Sequence, residues 1–194
     1  MTVTSKNDYL SQEEMENNAL YVCAFLSSKG WTINAISAIL ANMQAESGVN
    51  PGIYENLNSN STTNGYGLVQ WTPNTKYKTW ADDNGYRYGD IDGQLNRIIY
   101  ELENGLQWIA TDTYNMTFAE FSRSSDDVGD LAYAFMYNYE RPASLDQPQR
   151  KINAETWLQF ITNNGGATLP EANDKPKKAK EMSRLLFYFQ GMRG

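Results

Sequence analysis

The sequence TINAISAILANMQAESG, residues 32–48, decides the fold class of this protein. Thr32 is a typical residue for capping the start of a helix, and Gly48 readily ends one in a left-handed conformation. Between them the apolar residues recur at helical spacing and share one face: Ile33, Ile36, Ile39, Leu40 and Met43. The stretch therefore predicts a helix with a buried face, and Glu46 projects from the last turn of that face.

Further helices are predicted on both sides of this one. Ser11 and Thr117 each begin a capping box, because a glutamate follows three residues later. Thr72 and Pro73 are typical of an N-cap and a first helical position, so a helix should run from there to about Gly85. The remaining helices are predicted from apolar periodicity over residues 91–108, 127–139 and 148–162.

The segment around residues 52–72 has a different character. It is rich in Gly, Asn, Ser and Thr, and it contains the strand-like run YGLVQW at residues 66–71. We expect a small β-hairpin insertion there. The predicted fold class is therefore mainly α, an α+β arrangement in which a helical domain carries one small hairpin.

The chain of 194 residues is long enough for one domain with a substantial core. After Gly165 and Gly166 the composition shifts to proline and lysine, which is typical of a linker. We assign residues 1–163 to the domain and residues 164–194 to a linker and C-terminal segment. Whether that segment leads to a further module, packs on a partner or packs back onto this domain stays open.

Charge and residue usage exclude several classes of function. The formal net charge of −7 disfavours nucleic-acid binding, which needs a basic surface to displace counterions. The absence of histidine removes the Ser–His and Cys–His nucleophile pairs and the usual zinc ligand sets. There is no signal-peptide core and no apolar run of about 18 residues. We therefore predict no metal, no cofactor, no nucleic-acid partner and no stable membrane insertion.

Glu46 is the first candidate for chemistry, since a carboxyl group is out of place on an apolar helix face. Burial disfavours the ionised form, and a carboxyl group that keeps its proton near neutral pH can protonate a glycosidic oxygen. The alternative is a helix-end glutamate turned to solvent, and periodicity alone does not decide between the two.

A second candidate segment follows the Asn-rich loop. Gly65 and Gly67 lack side chains where a ligand could approach, and Gln70 offers an amide beside Trp71. Neutral amides and flat aromatic faces suit sugar ligands. A tight hairpin with an exposed glutamine is the alternative interpretation.

Taken in order along the chain, these segments resemble the phage tail lysozyme family. The resemblance rests on NMQAES (42–47), NPG (50–52), GYGLVQWTP (65–73) and YERP (139–142), and it spans about residues 15 to 163. The family comprises muramidase domains of tail-tip proteins of phages that infect Gram-positive bacteria. It is similar to goose-type lysozymes and lytic transglycosylases.

The resemblance implies a lysozyme-like fold that cleaves the β-1,4 bond between N-acetylmuramic acid and N-acetylglucosamine. Glu46 matches the catalytic acid of the family. Tyr139 and Glu140 are placed near that acid, where Tyr139 would orient the acid or the sugar. For Glu140 the alternative is an ion pair with Arg141 or another base that fixes the helix end. The substrate groove would be lined by Tyr66, Gly67, Gln70 and Trp71.

A hydrolase of this kind normally uses a second carboxylate. Glu55 is the only acidic residue between Glu46 and Gly67, so it is the leading candidate for positioning water. A site with a single acid would suit a lytic transglycosylase, in which a hydroxyl of the muramic acid attacks and a 1,6-anhydro sugar forms. The sequence does not separate these two reactions.

Rival interpretations concern the role of the whole domain. A non-catalytic carbohydrate-binding or structural tail domain could retain the lysozyme shape, because fold does not imply function. An endopeptidase is disfavoured by the missing histidine, and a lysozyme used in conjugation is a further alternative. The resemblance implies a virion location at the tail tip, with peptidoglycan glycan strands and phage tail proteins as partners.

Overall fold

The computed structural model describes residues 2–164, and within that range the fold is mainly α, as predicted. A single 3-10 turn (Glu55–Leu57) and a π-helical turn (Met136–Glu140) accompany the α-helices. The helices of this range are α1 (Gln12–Ser28), α2 (Ile33–Ser47), α3 (Thr75–Asn84), α4 (Ile91–Glu103), α5 (Phe118–Arg123), α6 (Val128–Phe135) and α7 (Gln149–Asn164).

Helix α2 is the centre of the fold. It packs against α1, α5, α6 and α7, and every residue from Ala35 to Met43 is buried. The predicted boundaries are confirmed, because Thr32 Oγ1 accepts a hydrogen bond from the Ala35 amide and Gly48 has a φ of 63°. Ile33, which was predicted on the buried face, is 41% exposed, because it lies at the first turn before α2 enters the core.

Both predicted capping boxes are present. The Glu14 amide donates to Ser11 Oγ at 3.2 Å, and the Ser11 amide donates back to the Glu14 carboxylate at 2.8 Å. Thr117 and Glu120 make the same reciprocal pair at the start of α5. These local bonds satisfy amides that have no partner within their helices.

Three predicted helix boundaries differ from the structure. Helix α3 begins at Thr75, not at Pro73, because the Thr72 hydroxyl donates to the Gln70 carbonyl instead of capping the helix. The helix predicted to reach residue 108 ends at Glu103. The helix predicted over residues 127–139 changes after Phe135 into the π-helical turn, a widened form that is frequent at functional sites.

The predicted β-hairpin insertion is not formed in the described residues, where one isolated antiparallel bridge joins Tyr54 and Tyr66. Two features prevent a longer ladder. Between Tyr54 and Tyr66, the Asn and Ser side chains of residues 58–64 accept hydrogen bonds from nearby amides and shape local turns. After Tyr66, the chain turns at Gly67 and Gln70, which have φ angles of 79° and 47°.

The described range ends at Asn164, the last residue of α7. From residue 165 onward, the linker and C-terminal segment predicted over residues 164–194 lie outside this range. Within residues 2–164, no helix combines the length and the apolar character that a bilayer crossing requires.

Candidate active site

A cleft of about 520 Å³ opens at the C-terminal end of α2. Six of the eight residues predicted for the site line it: Glu46, Glu55, Gln70, Trp71, Tyr139 and Glu140. The cleft therefore combines three carboxyl groups with aromatic and amide side chains, a lining suited to a polar ligand with apolar faces.

Glu46 faces this cleft from the last turn of α2 and is held by a buried arginine. Arg150 Nη2 donates to Glu46 Oε1 at 2.5 Å, and the side chain of Glu46 is 21% exposed. The same guanidinium group donates to Asn42 Oδ1 at 2.6 Å and to Gln147 Oε1 at 2.7 Å. Since Arg150 is fixed by three acceptors, it fixes the orientation of the Glu46 carboxylate in turn.

Glu140 contributes a second carboxyl group from the π-helical turn. Its Oε1 atom is buried and has no hydrogen-bond partner among residues 2–164. Loss of hydration raises the pKa of Glu140 well above its ordinary value, and the nearby charge of Glu46 raises it further. Glu140 therefore keeps its proton to a higher pH than a carboxyl group in water.

The alternative ion pair between Glu140 and Arg141 does not form in the described residues. Arg141 Nη1 donates instead to the carbonyl groups of Asn138 and Gln107, at 2.5 Å and 2.7 Å. Arg141 itself has a φ of 51°, so its backbone turns sharply at the end of the π-helical turn. In the part of the chain that the structure describes, the Glu140 carboxyl group therefore has no basic partner in direct contact.

Behind the cleft, the buried carboxylate of Glu101 joins two of the lining residues. It accepts hydrogen bonds from the Tyr139 hydroxyl and from Trp71 Nε1, the latter at 3.0 Å. Arg97 Nε donates to the same carboxylate at 2.8 Å, one helical turn earlier on α4. Burial raises the pKa of Glu101, while these three donors oppose the shift.

Glu55 and Gln70 line the cleft from the segment that was predicted as a hairpin. Glu55 is exposed, and its Oε2 accepts a hydrogen bond from the Gly65 amide at 2.9 Å. Gln70 Nε2 donates to the Gly67 carbonyl at 3.0 Å. Each side chain thus holds the loop through one atom. The Oε1 oxygen of Glu55 and the side-chain carbonyl oxygen of Gln70 take no part in these two hydrogen bonds.

Tyr66 and Gly67 are the two predicted groove residues that do not line the cleft. Tyr66 is 3% exposed, and its ring packs on those of Tyr54 and Tyr77. A Cβ atom on Gly67 would lie 2.5 Å from the Gln94 side chain. Both residues therefore belong to the packed layer that supports the cleft and not to its lining.

Two residues of the site were not anticipated from the sequence, Arg150 and Glu101. A signal for the first was Asn42, a polar residue one turn before Glu46 on the same face, which needs a buried partner. A signal for the second was the pair Arg97 and Glu101, spaced i, i+4 within an otherwise apolar pattern.

The helical fold and the carboxyl-lined cleft define a lysozyme-like domain, and comparison with known families agrees. Residues 17–161 match the model of the phage tail lysozyme family, and the chain belongs to this family. It is 50% identical over 161 residues to Morphogenesis protein 1 of Bacillus phage B103. That match covers 83% of this chain and 44% of the relative, so the chain spans less than half the length of that protein.

Proposed function

We propose that this chain is a muramidase that hydrolyses the β-1,4 bond between N-acetylmuramic acid and N-acetylglucosamine in peptidoglycan. The observation that carries the proposal is the position of Glu46, whose carboxyl group lines the cleft at the end of the central helix. Membership of the phage tail lysozyme family supports a glycan substrate.

In the proposed reaction Glu46 is the general acid. Glu140 lines the same cleft, and the charge of Glu46 is one of the causes that raise the pKa of Glu140. Glu46 transfers a proton to the glycosidic oxygen as the bond to the N-acetylmuramic acid breaks, which releases the N-acetylglucosamine hydroxyl group. Arg150 then stabilises the Glu46 carboxylate that remains.

The second half of the reaction adds water to the anomeric carbon. Glu55 is our candidate for positioning this water, because one of its carboxylate oxygens is not used by the Gly65 amide. The water loses a proton to a carboxylate of the cleft, and a reducing N-acetylmuramic acid end forms. Tyr139, held by Glu101, would orient the acid or the sugar beside it.

We place this activity at the tip of a phage tail, where it would open the cell wall of the host. The family and the phage origin of the 50% identical relative support that setting. Peptidoglycan glycan strands and phage tail proteins are the proposed partners.

The experiment is mass spectrometry of the products released from purified Gram-positive peptidoglycan. Reducing N-acetylmuramic acid ends from the parent chain, and none from Glu46→Gln, would support the muramidase. A 1,6-anhydro product would instead identify a lytic transglycosylase. Glu155→Gln, at an exposed position of α7, is the matched control and should act like the parent. If neither the parent nor Glu46→Gln yields product but both bind the glycan, the domain is a carbohydrate-binding module.

A further inference from the structure

The segment before α1 is fastened to the domain by two buried asparagines. Asn18 exchanges two hydrogen bonds with the backbone of Thr4, at 2.9 Å and 2.8 Å. Asn50 Nδ2 donates to the carbonyl groups of Lys6 and Asp8, at 2.8 Å and 2.7 Å. Both asparagine side chains are fully buried, so residues 4–8 have a defined path over the domain surface.

The same segment reaches the wall of the cleft through Asn7. Asn7 Nδ2 donates to the Leu57 carbonyl at 3.0 Å, and Asn7 Oδ1 accepts from the Tyr54 amide at 3.0 Å. These bonds bracket the 3-10 turn Glu55–Leu57, which forms part of the cleft lining. The N-terminal segment therefore supports the part of the cleft lining formed by this 3-10 turn.

Tyr9 follows two residues later and lines the cleft itself. Its side chain is 72% exposed, although a ring of this size usually gains stability by burial. The matched family region begins at residue 17, so Tyr9 and Asn7 precede it, while Asn18 and Asn50, which hold the segment, lie within it. A large ring held at the rim of a polar cleft, and left uncovered, offers an apolar face to a ligand.

We propose that Tyr9 forms an outer glycan-binding subsite, in which its ring stacks on an N-acetylhexosamine unit remote from the cleaved bond. The identity of the ligand rests on the proposed function. The C–H face of a pyranose ring is apolar, so stacking on tyrosine removes two apolar surfaces from water. Leu57, which also lines the cleft and is 38% exposed, extends the apolar surface.

The hydrogen bonds that hold residues 4–8 reduce the entropic cost of glycan binding at this subsite. A flexible segment would lose conformational entropy when it closed on a glycan, and that loss would weaken binding. Since Asn7, Asn18 and Asn50 already hold the backbone of the segment, less of that entropy remains to be lost.

The test measures affinity by calorimetry in the Glu46→Gln background, where the glycan should stay uncut. The probes are soluble strands of alternating N-acetylglucosamine and N-acetylmuramic acid of increasing length, prepared from peptidoglycan without its peptides. Tyr9→Ala should raise the Kd for long strands about tenfold, while Tyr9→Phe should retain most of the affinity. Ile152→Ala, at an exposed apolar position outside the cleft lining, is the control and should bind as the background does.

The outcomes separate the subsite from the proposed activity. Equal affinities of Tyr9→Ala and the background would overturn the subsite and leave the muramidase untouched. Strands that bind with a tenfold loss in Tyr9→Ala, but are not cut by the parent chain, would support the subsite and overturn the catalytic proposal. A background protein that binds no strand of any length would overturn the subsite, while product release by the parent chain would decide the catalytic proposal separately.

Discussion

Arg150 donates a hydrogen bond to the carboxylate of Glu46 at 2.5 Å, although 104 residues separate them in sequence. Packing of α7 on α2 brings the two side chains together. Arg150 is 3% exposed, and its guanidinium group also bonds to Asn42 and Gln147. The orientation of the candidate acid is therefore decided by a residue from the last helix of the domain.

Replacement of this arginine should reduce both stability and activity. Arg150→Met would leave Glu46 and the buried Asn42 oxygen without their donor, at a cost of about 3 kcal/mol in the free energy of unfolding. Urea unfolding would measure this cost, and product release from peptidoglycan would measure the activity. Lys151→Gln breaks an exposed ion pair with Asp130 and should cost less than about 1 kcal/mol. Equal losses in the two variants would contradict the role of Arg150.

Glu140→Gln should stabilise the domain as the pH rises. The folded-state pKa of Glu140 is raised by burial and by Glu46, so its contribution is fully present below about pH 4.3, the unfolded value, and is lost as the pH rises through the folded pKa. Glutamine has no such titration. The Tm difference between Glu140→Gln and the parent should therefore grow with pH, which thermal unfolding over a pH series would show. A difference that does not vary with pH would refute this account.

The same substitution should lower activity, because the cleft that holds Glu46 would lose the Glu140 carboxyl group, which can give or take a proton. We expect kcat to fall by about a hundredfold, within the range of general acid–base contributions. Steady-state rates on purified peptidoglycan would measure the change. A variant that is more stable and equally active would show that Glu140 has no part in the reaction.

Glu101→Gln should weaken the hydrogen bonds that hold Trp71 and Tyr139 in the cleft lining. The carboxylate accepts hydrogen bonds from Trp71, Arg97 and Tyr139. The glutamine side chain would lack the negative charge, and its NH2 group would face these donors where an acceptor is needed. A loss of about 2 kcal/mol in unfolding free energy and a lower kcat are expected. Glu103→Gln, at an exposed position on the same helix, is the control. Near-UV circular dichroism should report a changed Trp71 environment in Glu101→Gln alone, and an unchanged spectrum would argue against this coupling.

Gly67→Ala should be far more damaging than Gly105→Ala. Both glycines have a positive φ, 79° and 63°, so alanine costs about 1 kcal/mol or more at either position. At Gly67 the new Cβ would also lie 2.5 Å from Gln94, whereas at Gly105 nothing lies within 4 Å. The clash adds about 1–3 kcal/mol, which chemical denaturation would resolve. Similar losses at the two sites would show that the Gln94 contact yields at little cost.

Several elements of the fold could be predicted from the sequence because their causes are local. The capping boxes at Ser11 and Thr117 and the left-handed cap at Gly48 depend on residues within one turn of each other. The hairpin prediction was wrong for a related reason. The strand-like run YGLVQW at residues 66–71 suggested a hairpin, but the positive φ angles of Gly67 and Gln70 turn the chain before a ladder forms.

The sequence by itself determined the helical class of the domain and the place of Glu46 at the end of its central helix, since helix periodicity and capping act over three or four residues. Only the tertiary structure decided which groups accompany Glu46. Arg150 contacts its carboxylate, and Glu140 and Tyr9 line the same cleft, although all three come from distant parts of the chain. Their contacts depend on how α2, α7, the π-helical turn and the N-terminal segment pack, and interactions between charges and hydrogen-bonding groups depend on distance in space.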